Sequence, residues 1–371
     1  MSRIEQLIMQ LCPNGVEYKE LNEVLVYEQP TKYLVSTTNY NDSHQLPVLT
    51  AGQTFILGYT DESNGIYEAS RESPVIIFDD FTTSFHWVDF EFKIKSSAMK
   101  LITPKMEAEI NFRFIYYAMK CIIYNPQDHA RQWISTYSRF KIPLPPLAIQ
   151  DEIVKSLDLF TKLEAELEAE LEARKTQYVH YRDALLSFED KDVEWKTLGD
   201  ISKILRGTSI TKKETIHGKY PVVANAPGPI YYHNESNRSG EIIVIARSGA
   251  YCGLVSYWNQ PLFLTDAFSI HPTDSLLKSK FVYYFLKKDQ NSIHSMKKGS
   301  GVPHVRASEF ESYLIPILPL SEQERIVNIL DKFDALVNDI SIGLPAEIAA
   351  RKKQYEYYRK RLLTFKEVTN G

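Results

Sequence analysis

A proline-rich segment that leads into a predicted helix occurs twice in this chain. Residues 142–154 are IPLPPLAIQDEIV, and residues 315–327 are IPILPLSEQERIV. Gln150 in the first copy aligns with Gln323 in the second, at an offset of 173 residues. A long internal repeat restricts the possible folds more than any single motif, because each copy must form the same supersecondary unit.

Further matches extend this repeat over most of the chain. The matched pairs are VEYKEL at 16–21 with VEWKTL at 193–198, FIYYAMK at 114–120 with FVYYFLK at 281–287, and ARKTQYVHYRDALLSF at 173–188 with ARKKQYEYYRKRLLTF at 350–365. Their order is the same in both halves. The chain is therefore one duplicated unit, and two long copies do not make a solenoid.

The duplication is uneven, since residues 28–110 and 206–279 hardly align. Each of these regions contains short β-rich runs separated by Gly, Asn, Asp and Ser. The runs are LPVLTA, SPVIIF and AMKLI in the first region, and YPVVAN, EIIVIA and AFSI in the second. We interpret the matched parts as a symmetric frame and the unmatched parts as two different mixed α/β domains, here called the reader domains.

The frame contains two long amphipathic helices. Apolar residues recur at helical spacing from Gln150 to Phe188, which predicts a helix of roughly 58 Å. Such a helix needs a partner of similar length, and the second copy supplies one from Glu322 to Phe365. Gly343 and Pro345 interrupt that second stripe, but the four inserted residues are close to one turn and preserve its face.

The predicted fold class is α/β (α+β), with two pseudo-two-fold-related reader domains joined by two long antiparallel coiled-coil helices. The predicted segments are a first reader domain with a short N-terminal helix at 1–146, a first long helix at 147–189, a second reader domain at 190–319 and a second long helix at 320–371. One reader domain is expected at each end of the helix pair. The alternative is that the stripes belong to ordinary core helices of one large domain.

Bulk composition limits the functions that are open to the chain. The net charge of −4 means that any DNA contact must come from local patches or be shared with a basic partner. Cys12, Cys121 and Cys252 are scattered, which fits a reducing cytosol and gives no disulfide frame or zinc site. No apolar run approaches the ~20 residues of a membrane span. We therefore expect a cytoplasmic protein with no membrane partner.

Polar loops in the second reader domain carry candidate DNA contacts. RSGAYCG at 247–253 follows a predicted strand, and residues 287–306 are rich in lysine. Lysine and arginine fit phosphate contacts, while Arg, Asn, Gln and Ser fit base edges. The candidates are Arg206, Asn225, Arg247, Ser248, Tyr251, Lys297, Lys298, Ser300, His304 and Arg306. A solvated loop is the alternative interpretation.

The first reader domain is less basic, and its loops mix amides, hydroxyls and aromatic rings. The candidate DNA contacts there are Gln53, Thr54, Tyr59, Thr82, Thr83, Arg131 and Gln132. Taken singly, each of these residues fits an ordinary loop slightly better than a base contact.

One stretch resembles nuclease chemistry, because Asp80 precedes the E-x-K formed by Glu91 and Lys93. Such a set can hold Mg²⁺ and a lysine beside a scissile phosphate. The aligned second half has Gln260 and Leu262 opposite Glu91 and Lys93, and VDFEFKIK at 88–95 is also typical of a plain strand. The sequence contains no glycine-rich cofactor loop, P-loop, metal-ligand spacing or nucleophile motif, so no cofactor is expected.

The doubled proline-rich lead-in, the helix starts QDEIV and QERIV, and the helix ends ARKTQYVHYR and ARKKQYEYYR resemble the specificity subunit of type I restriction–modification systems. The match covers essentially the whole length. It implies two target-recognition domains, each reading one half of a bipartite, asymmetric double-stranded DNA site. It also implies assembly with two methyltransferase (M) subunits and with restriction (R) subunits, so that the chemistry lies in the partners and this chain is not an enzyme by itself.

The long helices are predicted both to set the spacer between the half-sites and to dock the methyltransferase. Tyr178, Tyr181, Tyr355 and Tyr358 lie on matching turns near the helix ends, where aromatic residues can anchor an interface. The alternative is that these tyrosines only close the helix pair. Two other function classes stay open here: a metal-dependent nuclease that uses Asp80, Glu91 and Lys93, and a coiled-coil adaptor that binds only protein.

Overall fold

The chain forms two compact units in a computed structural model, which describes residues 2–52, 54–107, 109–127, 130–189, 191–273, 275–296 and 303–368. Unit 1 consists of Met1–Glu166 together with Ala349–Gly371, and unit 2 is Leu167–Ile348. The two units therefore divide the long helices between them.

The helices are α1 (Arg3–Leu11), α2 (Leu21–Val24), α3 (Phe112–Met119), α4 (Gln132–Ser135), α5 (Leu147–Leu185), α6 (Leu198–Ile201), α7 (Ser279–Lys288), α8 (Gln290–Ser295), α9 (Ala307–Glu311), α10 (Leu320–Asn338) and α11 (Leu344–Leu362). The strands are β1 (Glu17–Glu20), β2 (Leu25–Glu28), β3 (Leu46–Leu49), β4 (Ile56–Thr60), β5 (Val75–Asp79), β6 (Phe85–Val88), β7 (Lys93–Ile94), β8 (Met99–Pro104), β9 (Lys141–Leu144), β10 (Glu194–Thr197), β11 (Ser202–Arg206), β12 (Tyr220–Val223), β13 (Tyr231–His233), β14 (Glu241–Ala246), β15 (Val255–Asn259), β16 (Phe263–Leu264), β17 (Ala267–Pro272) and β18 (Leu314–Ile317). Short 3-10 turns occupy Pro30–Tyr33 and Tyr137–Arg139.

Both units have the same sheet topology. Unit 1 contains a four-stranded antiparallel sheet ordered β2-β8-β5-β6, a three-stranded sheet β4-β3-β7 and the pair β1-β9. Unit 2 repeats these as β11-β17-β14-β15, β13-β12-β16 and β10-β18, and in each three-stranded sheet one pairing is parallel. The duplication therefore extends through the regions whose sequences do not align, and all six predicted β-rich runs form strands.

Each unit has its own core between the four-stranded sheet, a helix on that sheet and one end of a long helix. In unit 1, Phe78 of β5, Phe114 of α3 and Leu157 of α5 are fully buried in one cluster. In unit 2, Phe268 of β17 and Phe281 of α7 are buried in the corresponding cluster. Apolar burial of this kind is the main stabilising contribution in both units.

The glutamines of the two helix starts make the same buried contacts. Gln150 donates from Nε2 to the carbonyl oxygen of Pro145 at 2.8 Å and accepts from the amide of Asn111 at 3.0 Å. Gln323 donates to the carbonyl oxygens of Leu318 and Leu276 and accepts from the amide of Lys278 at 2.9 Å. Each glutamine thus joins its long helix to the reader domain through hydrogen bonds to backbone groups, and the bonds to the Pro145 and Leu318 carbonyls are buried.

A repeated carboxylate makes the second connection. Asp158 of α5 accepts from the hydroxyl of Tyr117 and pairs with Arg113 at 3.0 Å. Asp331 of α10 accepts from the hydroxyl of Tyr284 at 2.6 Å and pairs with a lysine, Lys280, at 2.8 Å. The near-identity of the helical anchors therefore has a cause, since these residues hold the same joint in both units.

The first long helix is continuous, as predicted, and runs over 39 residues. Within unit 1, the ring of Phe160 stacks on Tyr358 of α11 at 5.5 Å, and Glu164 pairs with Lys352 at 3.4 Å. Higher numbers on α5 thus meet lower numbers on α11, so these two segments are antiparallel.

The second long helix differs from the single helix predicted from Glu322 to Phe365, because it is divided into α10 and α11. The Asp339 carboxylate accepts from the amide and hydroxyl of Ser341 and from the amide of Ile342, which closes a turn. At Gly343, a Cβ atom would lie 2.4 Å from the carbonyl oxygen of Ala335, so only glycine fits there. The interruption that Gly343 and Pro345 suggest in the sequence is a true break.

Candidate nucleic-acid interface

A cleft in unit 2 opens where strands β11, β14 and β17 meet the segment before α9. Its volume is 690 Å³, and the four-stranded sheet supplies one wall. Its lining includes Arg206, Ser209, Arg247, Thr265, Asp266, His304 and Arg306. Four of the predicted DNA contacts, at 206, 247, 304 and 306, are thus brought together from sequence positions up to 100 residues apart.

Arg247 is held in this cleft by its backbone. Its amide donates to the carbonyl oxygen of Asp266 at 3.3 Å, and its carbonyl accepts from the amide of Val305 at 3.0 Å. These bonds fix the end of β14 between β17 and the residues before α9, while the side chain is exposed. Arg206 is fixed in a similar way, because the Arg238 guanidinium donates to its carbonyl oxygen at 2.6 Å and to the Ser269 hydroxyl at 2.9 Å.

A short chain of hydrogen-bonded polar groups ends at Asp266, which lines the cleft. Asn225 donates to the hydroxyl of Ser248 at 3.2 Å, and Ser248 donates to the carboxylate of Asp266. Asp266 has a φ of +29°, which is unusual for a residue other than glycine. Ser248 is buried and Asn225 is half-buried, so these two side chains hold Asp266 in place through hydrogen bonds, whereas the arginines line the cleft.

The loop between β14 and β15 presents an aromatic ring beside the cleft. Gly249 and Gly253 have φ values of +77° and +85°, which lets the loop fold back so that the Gly253 amide reaches the Ala246 carbonyl at 2.8 Å. Tyr251 at the tip is 48% exposed. Among the predicted DNA contacts of unit 2, Tyr251 is thus an exposed aromatic ring, the kind of side chain on which a base can stack.

Unit 1 has the same backbone arrangement but different side chains. The Asp80 amide donates to the carbonyl oxygen of Ala98 at 3.1 Å, and its carbonyl accepts from the Gln132 amide at 2.8 Å, so Asp80 occupies the position of Arg247. In the strand registers, Phe78 faces Lys100 as Ile245 faces Phe268. Lys100 therefore stands where unit 2 has a phenylalanine.

In unit 1, an ion pair fills the interior at the positions of Asp80 and Lys100. Lys100 pairs with Asp80 at 2.8 Å, and both side chains are fully buried. The other carboxylate oxygen of Asp80 accepts from the amide of Trp133 at 2.8 Å. The exposed, cationic position of unit 2 is thus a buried, internally neutralised one in unit 1.

The remaining predicted DNA contacts of unit 1 are spread over several loops. Thr54, Thr82 and Arg131 are exposed, and Tyr59 is half-buried. Thr83 is buried with a φ of +59°, and Gln132 is buried, where it accepts from the hydroxyl of Tyr124 and donates to the carbonyl of Ala130. Neither of these two side chains faces solvent. Gln53, Lys297, Lys298 and Ser300 lie outside the described residues.

Asp80, Glu91 and Lys93 do not share a catalytic arrangement. Asp80 is committed to Lys100, and Lys93 pairs with Glu62 at 2.8 Å while 3% exposed. Glu91 is exposed. In the residues that the structure describes, no three His, Cys, Asp or Glu side chains are grouped to hold a metal ion.

The structure also corrects the sequence alignment that placed Leu262 opposite Lys93. Lys93 pairs with Val48 as Phe263 pairs with Val222, so its counterpart is Phe263 and not Leu262. The sequence alignment was one residue out in this short strand, because nothing identical anchors it.

The predicted docking tyrosines pack mainly against the helices of their own unit. Tyr178 is buried beside Phe333, and this burial raises the pKa of its hydroxyl. Tyr181 stacks on the same ring at 5.4 Å and is 42% exposed. Tyr355 and Tyr358 contact Phe160 and are half-buried.

Sequence reasoning missed several residues with clear structural roles. Asp266 lines the cleft, and Arg238 fixes Arg206, yet neither lies in a polar loop that the sequence singles out. Phe81, 37% exposed, lies in the loop between β5 and β6, which corresponds to the loop of unit 2 that carries Tyr251. The sequence did contain a signal for Phe81, because this aromatic residue lies just after a predicted strand and next to Thr82 and Thr83.

Across the described ranges, no helix combines the length and the apolar character that a membrane crossing requires.

Taken together, the chain is a duplicated α/β protein in which two topologically identical units carry different loops on a shared type of helical frame. The family model described as "Type I restriction modification DNA specificity domain" matches it twice, at residues 13–173 and 190–350. The chain belongs to this family and is a type I restriction–modification specificity subunit. One matched segment lies in each copy of the repeat, and the two end at the equivalent residues Ala173 and Ala350.

Relatives of full length agree. The chain is 41% identical to the Escherichia coli type I restriction enzyme EcoR124I/EcoR124II specificity subunit, over 98% of each chain. It is 29% identical to a putative type I restriction enzyme specificity subunit of Haemophilus influenzae, over 94% of this chain and 96% of the relative. These relatives support the specificity role over the nuclease and the adaptor alternatives.

Solved structures share the fold. The crystal structure of a type I restriction–modification S subunit from M. genitalium matches with a TM-score of 0.66 at 17% identity, covering 95% of this chain and 97% of that one. A chain from a structural study of complex assembly and conformational transition in the type I system matches with a TM-score of 0.59 at 18% identity, over 95% and 98%.

Proposed function

We propose that each unit reads one half of a bipartite, asymmetric DNA site. The observation that carries this proposal is the contrast between frame and loops. The two units repeat the same joints at Gln150 and Gln323 and at Asp158 and Asp331, but the equivalent positions Asp80 and Arg247 differ completely. A frame that keeps its geometry while its reading loops change suits two different half-sites.

The reading chemistry follows from the exposed side chains. In unit 2, Arg247, Arg306 and Tyr251 are available for phosphate, base-edge and stacking contacts. In unit 1, Thr82 and Arg131 are exposed on loops, which favours hydroxyl and guanidinium contacts. The described residues contain no metal-ligand cluster, and we propose that the chain performs no catalysis by itself.

The proposed partners are double-stranded DNA, two methyltransferase subunits and restriction subunits, which would supply the chemistry. The long helices offer the docking surface. Tyr181, at 42% exposure, is the most exposed of the four tyrosines predicted to dock the methyltransferase. The turn between α10 and α11 adds Ile340 and Ile342, which are 85% and 77% exposed. We propose that the chain acts on DNA with these partners in the cytoplasm of its host.

The long helices would also act as a ruler. Helix α5 has 39 residues and is therefore about 58 Å long at a rise of 1.5 Å per residue. Half-sites read in successive accessible grooves would be centred about 10 base pairs apart, with unread bases between them.

A domain exchange tests the proposal. Residues 192–314 are replaced by the corresponding segment of another family member, and methylated sites are mapped in a host that carries the matching methyltransferase. We expect one half-site to change while the other half-site and the spacer length stay the same. A change in both half-sites would contradict independent reading by the two units. If the unmodified chain directed methylation to no particular sequence, the protein-binding adaptor would be favoured instead.

A further inference from the structure

Three unpaired guanidinium groups surround the unit 2 cleft. Arg206, Arg247 and Arg306 come from three separate segments and all have exposed side chains. Among the residues that the structure describes, no carboxylate forms an ion pair with any of the three. Two carboxylates lie close by: Asp266 lines the cleft and accepts from Ser248, and Glu309 accepts from the Arg306 backbone amide at 3.0 Å. The three guanidinium groups outnumber these carboxylates, so the opening carries a net positive charge in a chain whose net charge is −4.

Like charges placed around one opening repel each other, and an anion that enters the opening relieves this repulsion. The guanidinium group presents a planar fork of donors that matches phosphate oxygens. The backbones of Arg206 and Arg247 are fixed by hydrogen bonds, so less conformational freedom is lost when their side chains engage a ligand.

The equivalent position of unit 1 has none of these properties. Asp80 replaces Arg247 on the same backbone bonds, and Lys100 replaces Phe268 across the strands. The resulting ion pair is fully buried and leaves no cation for a ligand. The two units are therefore electrostatically different at one and the same place in the fold.

We propose that the unit 2 cleft is a clamp for DNA backbone phosphates, and that at this position of the fold unit 2, and not unit 1, contributes to the salt-dependent part of DNA binding. This inference rests on the proposed DNA-reading function and adds an asymmetry to it. Unit 2 grips the backbone through Arg206, Arg247 and Arg306, while unit 1 contributes contacts that depend less on salt at this position.

The test is the salt dependence of DNA affinity. The full chain, purified with its methyltransferase subunits, is titrated with a duplex that carries its mapped site, at several salt concentrations from 50 to 200 mM. The measured quantity is the slope of log affinity against log salt concentration, to which each phosphate contact contributes about 0.9. The variant R206Q/R247Q/R306Q should lower the slope by about 3. Between 50 and 200 mM salt, the affinity of the unmodified chain should therefore fall by a factor that is roughly 40 times larger than the factor for the variant.

Two matched variants control for charge and folding. R71Q/K95Q/R139Q removes the same number of positive charges from exposed positions outside the cleft and the long helices, and should leave the slope nearly unchanged. R206K/R247K/R306K keeps the charge and should retain most of the slope while weakening binding, because lysine lacks the planar fork. The single variant R247Q, at an exposed side chain, should lower the slope by about 0.9 even if the triple variant does not fold.

The outcomes separate this inference from the proposed function. A lowered slope in the cleft variant alone supports the clamp. Equal slopes in the cleft and control variants overturn it. An unchanged slope with an altered base in the second half-site also overturns the clamp, but it supports DNA reading by this cleft. If the unmodified complex shows no sequence-selective binding, both the clamp and the proposed function fail.

Discussion

The buried ion pair between Asp80 and Lys100 allows a quantitative test of the unit 1 interior. Both side chains are fully buried, and the Lys100 ammonium lies 2.8 Å from a carboxylate oxygen of Asp80. In the variant Lys100→Met, Asp80 keeps the Trp133 amide but loses its counter-charge. Removing one partner of a buried pair typically costs about 3–5 kcal/mol, because the remaining charge is uncompensated. We expect a loss in this range for unit 1.

A second ion pair in the same unit serves as the control. Lys93 is also nearly buried, but its partner Glu62 accepts from the amides of Ser36 and Thr37 at 2.8 and 3.2 Å and is 18% exposed. Lys93→Met therefore leaves a carboxylate that is still hydrogen-bonded and partly hydrated, and should cost about 1 kcal/mol. The double variant Asp80→Asn, Lys100→Met should recover most of the loss, since it leaves no buried charge.

Hydrogen exchange with mass spectrometry in increasing urea measures these differences within one chain. Peptides from 75–104 report on unit 1, and peptides from 241–272 report on unit 2, which should not change. A loss for Lys100→Met no larger than that for Lys93→Met would refute the reasoning, and so would a double variant as unstable as Lys100→Met alone.

Three further predictions concern the frame. Gln323→Ala should destabilise unit 2 by about 2–4 kcal/mol, since it removes three hydrogen bonds, of which the bond to the Leu318 carbonyl is buried; a loss below about 1 kcal/mol by urea unfolding would contradict this. Inserting four residues between Leu167 and Leu171 should lengthen α5 by about 6 Å and add one or two base pairs to the unread spacer; mapping of methylated sites checks this, and a changed half-site sequence would count against the ruler. The variant Tyr181→Ala, Tyr358→Ala should reduce co-purification of the methyltransferase; undiminished co-purification by a variant with unchanged thermal melting would mean that these rings only close the helix packing.

Much of the fold could be predicted because the repeat records the frame directly. Gln150 and Gln323 recur in the sequence since each satisfies the same buried backbone groups, and Asp158 and Asp331 recur since each accepts from a tyrosine of the sheet-packing helix. The apolar stripe from Gln150 to Phe188 predicted each end of α5 to within three residues. The break at Asp339 was not predicted as a full turn, because it depends on side-chain capping by the carboxylate rather than on apolar spacing.

The interface was harder to predict, for a physical reason. The cleft is assembled from strand ends that lie far apart in sequence, and only the backbone bonds around Arg247 and Asp80 show that these residues are equivalent. Since those bonds use main-chain groups, they place no demand on side-chain identity. One position can then hold a buried aspartate in unit 1 and an exposed arginine in unit 2 with the same fold. Because the fold holds these positions through the backbone, their side chains are free to differ between the units, so the sequence repeat identifies the frame but does not align the candidate DNA-contacting positions of the two units.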